Sequence, residues 1–170
     1  MVSVSINSVD VVIENNNRRI LENISFKLDK GYVYTILGKN GSGKSTLINT
    51  LTALLDNSIY HIDAAVDFNG RDLLKLSGAE LLQIKKEKIK YVFQDSVNSF
   101  DPLKKFDYYF NMLNVSEEEI AVALDYFLLP GAAKLFKLNP YEVSGGMAQR
   151  VSICMAILAK PELLILDEPT

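Results

Sequence analysis

The sequence predicts an α/β fold in which antiparallel strands come first, followed by strands alternating with helices, a helical insertion and a return to α/β. Three observations predict it. Val2, Val4 and Ile6 alternate with polar residues, the pattern of a half-buried strand. Residues 38–45 read Gly-Lys-Asn-Gly-Ser-Gly-Lys-Ser between an apolar run at 32–37 and a helix-like run at 46–55. A second apolar run, residues 163–166, ends in Asp167 and Glu168.

Each element follows in order. Residues 9–13 read as a second strand and the polar, asparagine-rich residues 14–19 as a loop. Ile20, Ile24, Phe26 and Leu28 mark another strand, and Asp29-Lys30-Gly31 a turn. The run 32–37 is predicted to be a buried strand feeding the glycine-rich loop. Residues 66–68 form a short strand entering a tight turn at Asn69-Gly70. Residues 80–88 are predicted helical and 89–93 extended. Ser116 with Glu119 is a capping box before a helix at 120–129, which Pro130-Gly131 ends. A further helix covers 146–159, stopping at Lys160-Pro161, and 163–166 is a fully apolar strand. Neither an internal repeat nor a low-complexity segment is present.

The bulk properties narrow the class. A chain of 170 residues that is 48% apolar is globular and long enough for one sizeable core. A net charge of −3 argues against a dedicated nucleic-acid binder. The single cysteine, Cys154, sits in an apolar helical run and is read as a buried, inert thiol suited to a reducing compartment. No apolar stretch reaches the roughly 20 residues of a membrane span, and residues 1–6 lack the features of a signal peptide. Work at a membrane would therefore require docking onto a partner that spans it. Lys85, Lys86, Lys88 and Lys90 read as a solvated helix face, Tyr108, Tyr109 and Phe110 as packing of the insertion, Met155 as core, and His61 as a surface loop residue.

The residues at 38–45 match the phosphate-binding pattern G-x-x-x-x-G-K-[ST] in its strand–loop–helix context. Gly38, Gly41 and Gly43 allow backbone conformations that side chains forbid. The amides of the loop, Asn40, Ser42 and Thr46 included, would converge on phosphate oxygens at a helix N-terminus. Lys44 would reach the β- and γ-phosphates of ATP, and the Ser45 hydroxyl would ligate Mg²⁺. An apolar strand ending in Asp167 and Glu168 would place Asp167 beside Ser45 and the metal, with Glu168 as general base for an attacking water. Taken alone, two acids capping a loop would explain that pair. Ser144-Gly145-Gly146 opens the helix at 146–159 and forms a second anion site on the same chain. An N-cap serine followed by permissive glycines gives the same residues. One ATP does not need two such loops on one chain, whereas two chains placed head to tail do.

Taken together these residues resemble the nucleotide-binding domain of ABC (ATP-binding cassette) proteins. Residues 38–45 match Walker A, residues 143–147 the signature loop, residues 163–167 Walker B, Glu168 the catalytic glutamate and Gln94 the Q-loop glutamine. The resemblance covers nearly the whole chain. It implies a phosphate-loop NTPase with a RecA-like core, an N-terminal antiparallel β subdomain and a helical signature insertion. The chain would be a single incomplete domain, with core and β subdomain at about 1–93 and 144–170, the helical subdomain at about 95–143, and the C-terminal strands absent. Residues 91–95 leading to 98–102, and residues 139–142 before Ser144-Gly145-Gly146-Met147, resemble the peptide and nickel importer ATPases, with Met147 in place of the usual glutamine.

The resemblance implies an ATPase that couples dimer closure to uptake of peptide, nickel or a metal–chelator complex. Its partners would be a second ABC ATPase, identical or not, transmembrane permease subunits and, indirectly, an extracytoplasmic solute-binding protein. It would lie peripherally on the cytoplasmic face of the cell membrane. Lys44, Gln94 and Glu168 would be catalytic; Ser45, Gln94 and Asp167 would serve Mg²⁺; Ser144, Gly145 and Gly146 would cap the ATP of the partner subunit. The segment 95–114 would carry the signal to the permease.

Departures from the family's pattern accompany these matches. The D-loop, a further strand and the switch histidine that follow Walker B in the family are absent, and His61 lies between Walker A and the Q-loop. The chain by itself thus lacks part of the family's hydrolytic machinery, as a truncated product or a fragment would, and an uncovered sheet edge is expected. The A-loop window, Ile13, Glu14 and residues 15–17, holds no aromatic to stack on adenine. Competing readings are a soluble ABC ATPase without a permease, a nucleotide-binding remnant without hydrolysis and, more distantly, a small phosphate-loop kinase.

Overall fold

The computed structural model describes residues 1–13, 16–96 and 98–169. They form two compact units, Met1–Gln83 and Ile84–Thr170.

In the first unit β1 (Val2–Ile13), β2 (Asn16–Leu28), β3 (Tyr60–Phe68) and β4 (Arg71–Asp72) form one antiparallel sheet in the order β2-β1-β3-β4. The expected pair of strands at 2–6 and 9–13 is one strand. Val2, Val4 and Ile6 are buried, and so are Val9 and Val11. The even-to-odd change comes from the register shift at Ile6/Ser8 against β3, where Asn7 is the extra residue of β1. A bulge inserts a residue and rephases the buried face without ending the strand. The expected loop at 14–19 is likewise corrected where it is described. β2 begins at Asn16, with Asn17, Arg18 and Arg19 opposite Val12, Val11 and Asp10. Arg19 bonds Asp10 at 3.0 Å and Glu22 at 2.9 Å, so the polar residues form a solvated strand end. Residues 14 and 15 lie outside the described residues.

Asn69 and Gly70 both take positive φ, 54° and 84°, which is the turn their pairing predicts. His61 is exposed, as expected, but it sits on β3 opposite Asp10 instead of on a loop. Helix α1 (Lys44–Leu51) starts earlier and ends sooner than the expected 46–55, with Ala53 at φ 49° breaking it. The largest correction concerns residues 32–37. They form no strand, and Tyr32, Val33 and Leu37 are 73%, 96% and 87% exposed. A largely apolar run becomes a buried strand only when neighbouring strands pair with it, and none of the described strands pairs with this one.

Helix α2 (Gly78–Glu87) leads into the second unit. There β5 (Ile89–Val92) and β6 (Leu163–Leu166) pair in parallel, Tyr91 opposite Ile165 and Val92 opposite Leu166. Between them in sequence come α3 (Phe106–Asn111), α4 (Glu117–Tyr126), α5 (Ala132–Leu135) and α6 (Gly145–Leu158). Their shared core holds Phe106, Phe110, Leu124, Leu135, Val151 and Cys154. Tyr109 and Met155 pack against it as expected, while Tyr108 is exposed with the Lys104 ammonium over its ring. The predicted capping box is present: Ser116 Oγ accepts from the Glu119 amide at 3.2 Å and Glu119 accepts from the Ser116 amide at 3.1 Å. In the lysine cluster, Lys88 pairs with Glu162 at 2.7 Å and Lys90 donates to the Lys86 carbonyl.

Candidate functional site

The glycine-rich loop belongs to the first unit. The Ser42 amide donates to the Lys39 carbonyl at 3.1 Å, closing a turn. Gly41 and Gly43 take φ of 76° and 93°, and Gly43 is the N-cap of α1. The loop is held close to β2. A Cβ on Gly43 would lie 2.8 Å from Leu21 Cδ2, and one on Gly38 would lie 2.6 Å from Ser42 Oγ. The Lys44 ammonium folds back along the loop, donating to the Gly38 carbonyl at 3.0 Å and the Lys39 carbonyl at 3.3 Å. Asn40, Ser42 and Ser45 are exposed and Thr46 is half-buried. The arrangement is a glycine-rich turn with a lysine folded along it, opening a helix, the setting in which backbone amides and a lysine can meet a phosphate chain.

The strand-end acids belong to the second unit, where β5 and β6 place Gln94 and Glu168 together. Gln94 Nε2 donates to Glu168 Oε2 at 2.8 Å. Glu168 itself adopts φ 46°, a left-handed backbone that non-glycine residues hold at a cost. Asp167 is tied twice to β5. Its amide donates to the Val92 carbonyl at 3.0 Å, and its Oδ2 accepts from the Tyr91 hydroxyl at 2.8 Å. Burial and the neighbouring Asp167 carboxylate raise the Tyr91 phenol well above its ordinary range, so it stays a donor. Tyr91 escaped the sequence reading. The signal was a tyrosine on a short strand between Lys90 and Val92, half-buried, whose hydroxyl needs a partner.

Ser144, Gly145 and Gly146 form the exposed start of α6. Ser144 Oγ accepts from the Met147 amide at 3.3 Å, and a Cβ on either glycine would meet nothing within 4 Å. A side chain at either position would thus enter open space. Arg150, one turn further on, donates to the Phe127 and Leu128 carbonyls at 3.1 and 3.0 Å, closing the end of α4.

Among the described residues no group of three or more His, Cys, Asp and Glu could cage a metal. A carboxylate and a hydroxyl are hard oxygen donors, and Mg²⁺ is commonly held by one or two such groups completed by substrate phosphates. Asp167 and Ser45 have the right chemistry for that ion, Ser45 in the first unit and Asp167 in the second.

A glycine-rich loop opening a helix, a strand ending in two hydrogen-bonded acids and an exposed Ser-Gly-Gly helix start are features of the phosphate-loop nucleotide-binding class. The chain belongs to the ABC transporter family, whose model matches residues 21–170. It is 34% identical to the oligopeptide transport ATP-binding protein AmiE of Streptococcus pneumoniae, with 95% of this chain and 49% of that protein covered. It is 38% identical to the oligopeptide transport ATP-binding protein OppD of Escherichia coli, with 88% and 47% covered. The chain thus spans about half the length of the curated relatives it matches. Its fold is that of the dimeric ATP-binding cassette MJ0796 solved with ADP and Pi, with a TM-score of 0.82 at 24% identity over 100% of this chain and 75% of that one.

Proposed function

We propose that the chain is the ATP-binding and ATP-hydrolysing part of an importer subunit, and that the imported solute is a short peptide. The phosphate-loop geometry carries the ATP reading: positive-φ glycines, loop amides and Lys44 at one helix start. The naming of relatives as oligopeptide transport proteins supports the peptide reading. Nickel or a metal–chelator complex has no comparable support.

In this reading Lys44 and the amides of residues 38–46 bind the phosphates, as the loop's chemistry suits it to do. Ser45, Asp167 and the Gln94 carbonyl oxygen would hold Mg²⁺, which supplies charge neutralisation on the phosphates when bound. Glu168 takes the proton of the attacking water, and the Gln94 amide on its Oε2 fixes the direction in which the carboxylate points. Ser144, Gly145 and Gly146, exposed at the start of α6, would present backbone amides to the ATP of a second cassette. Core and β subdomain at about 1–93 and 144–170, with a helical subdomain at about 95–143, make up one nucleotide-binding domain. The partners are a second cassette, permease subunits and, through them, a solute-binding protein. Among the described residues no helix is long and apolar enough to cross a membrane, so attachment to the cytoplasmic face runs through the permease.

The test is calorimetric titration of the chain with Mg²⁺-ATP, with Lys44→Ala beside it. Saturable binding that the variant loses supports the reading. Equal heats from both proteins, or none from a folded wild type, would sink it.

A further inference from the structure

Tyr91 reaches the acid at the end of the neighbouring strand. The parallel register sets Tyr91 opposite Ile165, and its hydroxyl extends two residues further along β6 to Asp167 Oδ2, 2.8 Å away. The ring is itself fixed, lying 4.3 Å from the Phe93 ring at an interplanar angle of 34°. Asp167 is thereby held through both main chain and side chain, its amide on the Val92 carbonyl at 3.0 Å and its carboxylate on Tyr91.

We propose that Tyr91 is a positioning residue for Mg²⁺ binding, its phenol holding one oxygen of Asp167 so that the carboxylate presents its other oxygen to the cation. The inference rests on the reading of Asp167 as a ligand of the metal that accompanies ATP. The chemistry of the donor favours this role. A lysine or arginine in the same place would orient the carboxylate and also cancel its charge, competing with a cation for it. A phenol donates one hydrogen bond and leaves the full negative charge in place. The hydroxyl also restricts side-chain rotation in a residue just past the end of a strand that, among the described residues, pairs with β5 alone.

The alternative is that the hydroxyl merely finds an acceptor because the ring is half-buried, and metal binding separates the two. The experiment compares the full chain with its Y91F variant, which keeps the ring and its contact with Phe93. ATP is titrated by calorimetry with a chelator present and again with Mg²⁺, and Mn²⁺ binding to the chain with a non-hydrolysable ATP analogue is followed by electron paramagnetic resonance. Metal-free ATP affinity in Y91F should stay within about twofold of wild type. Metal affinity of the nucleotide complex should fall about tenfold, as for loss of one hydrogen bond to a charged group. In an Asp167→Asn background the same change should add nothing further. An unchanged metal affinity overturns the proposal. So does an equal loss with and without metal, or loss of the thermal transition in Y91F, since either would assign the hydroxyl to folding. If wild type itself binds ATP but gains nothing from metal, the assignment of Asp167 to the metal is what fails, and the role of Tyr91 falls with it.

Discussion

Two glycines in one loop separate backbone strain from steric contact. Gly41 and Gly43 both take left-handed φ, 76° and 93°. Around Gly41 a Cβ would meet nothing within 4 Å, whereas at Gly43 it would lie 2.8 Å from Leu21 Cδ2 and 3.3 Å from Ile20 Cγ2. Gly41→Ala should therefore cost about 1 kcal/mol, the left-handed penalty alone. Gly43→Ala should cost at least about 1 kcal/mol more, because β2 or the loop must move to admit the methyl group. It should also weaken nucleotide binding, since Gly43 is the N-cap whose conformation aims the first amides of α1. Urea unfolding of both variants measures the difference; equal costs would mean that β2 does not buttress the loop. At this scale the residue types are legible as local patterns: the glycines, Lys44, Gln94 and the acid pair each stand in a short motif. Their bonding is legible only in the loop, where Lys44 reaches carbonyls five and six positions away. The bonds from Gln94 to Glu168 and from Tyr91 to Asp167 join residues 74 and 76 positions apart, which only the parallel register of β5 and β6 brings into reach.

Among the elements, residues 32–37 show where sequence pattern stops being informative. Five apolar or aromatic positions out of six, with Thr35 among them, would suit a central strand, yet burial of such a run is decided by what pairs with it, which is not written in the run itself. The capping box at Ser116 and Glu119 and the Asn69-Gly70 turn were legible because each is closed by residues a few positions apart. The single long β1 was misread as two because its bulge rephases the alternation in mid-strand. The polar start of β2 was misread as loop because a solvated strand end and a loop have the same composition. The exposed segment makes a definite prediction. Val33→Ser and Leu37→Ser should each shift stability by less than about 0.5 kcal/mol, as exposed substitutions do, and should reduce self-association at high concentration. A buried strand would instead lose about 2 kcal/mol or more on truncation of a Leu. Urea midpoints and light scattering of the two variants decide between these.

For the whole molecule, the titrating groups set the pH range over which it is stable. Hydrogen bonds from Ser58 hold Asp56 below its ordinary value, those from Asn98 do so for Asp95, those from Ser77 for Glu80, and those from Asn139 for Glu142. The Lys160 hydrogen bond does the same for Glu119. At Asp72 burial pushes upward, but the amides of Val66 and Leu74 together with Lys75 outweigh it and the net direction is down. A carboxylate whose folded pKa is depressed stabilises the fold above its unfolded value, and that contribution is lost as pH falls through the folded value. The contribution of these carboxylates should therefore be complete from about pH 5 upward and decline below about pH 4.5. On the alkaline side Cys154 acts with the opposite sign. Burial raises its thiol from 9.0 to about 11, so its contribution is complete below pH 9 and is lost as pH rises through 11. Burial raises Tyr91 and Tyr109 as well, while it lowers Lys85 and Lys90, whose desolvation penalty is relieved in the same range. These opposing groups are common to wild type and Cys154→Ala, so the difference between the two proteins isolates the thiol. That difference should shrink by up to about 2 to 3 kcal/mol between pH 9 and pH 11, the linkage expected for a shift of this size. Urea midpoints of both proteins at half-unit pH steps provide the measurement. Parallel curves would mean that Cys154 is reached by solvent in the folded state and that the helical core around Val151 and Phe106 opens more readily than its packing indicates.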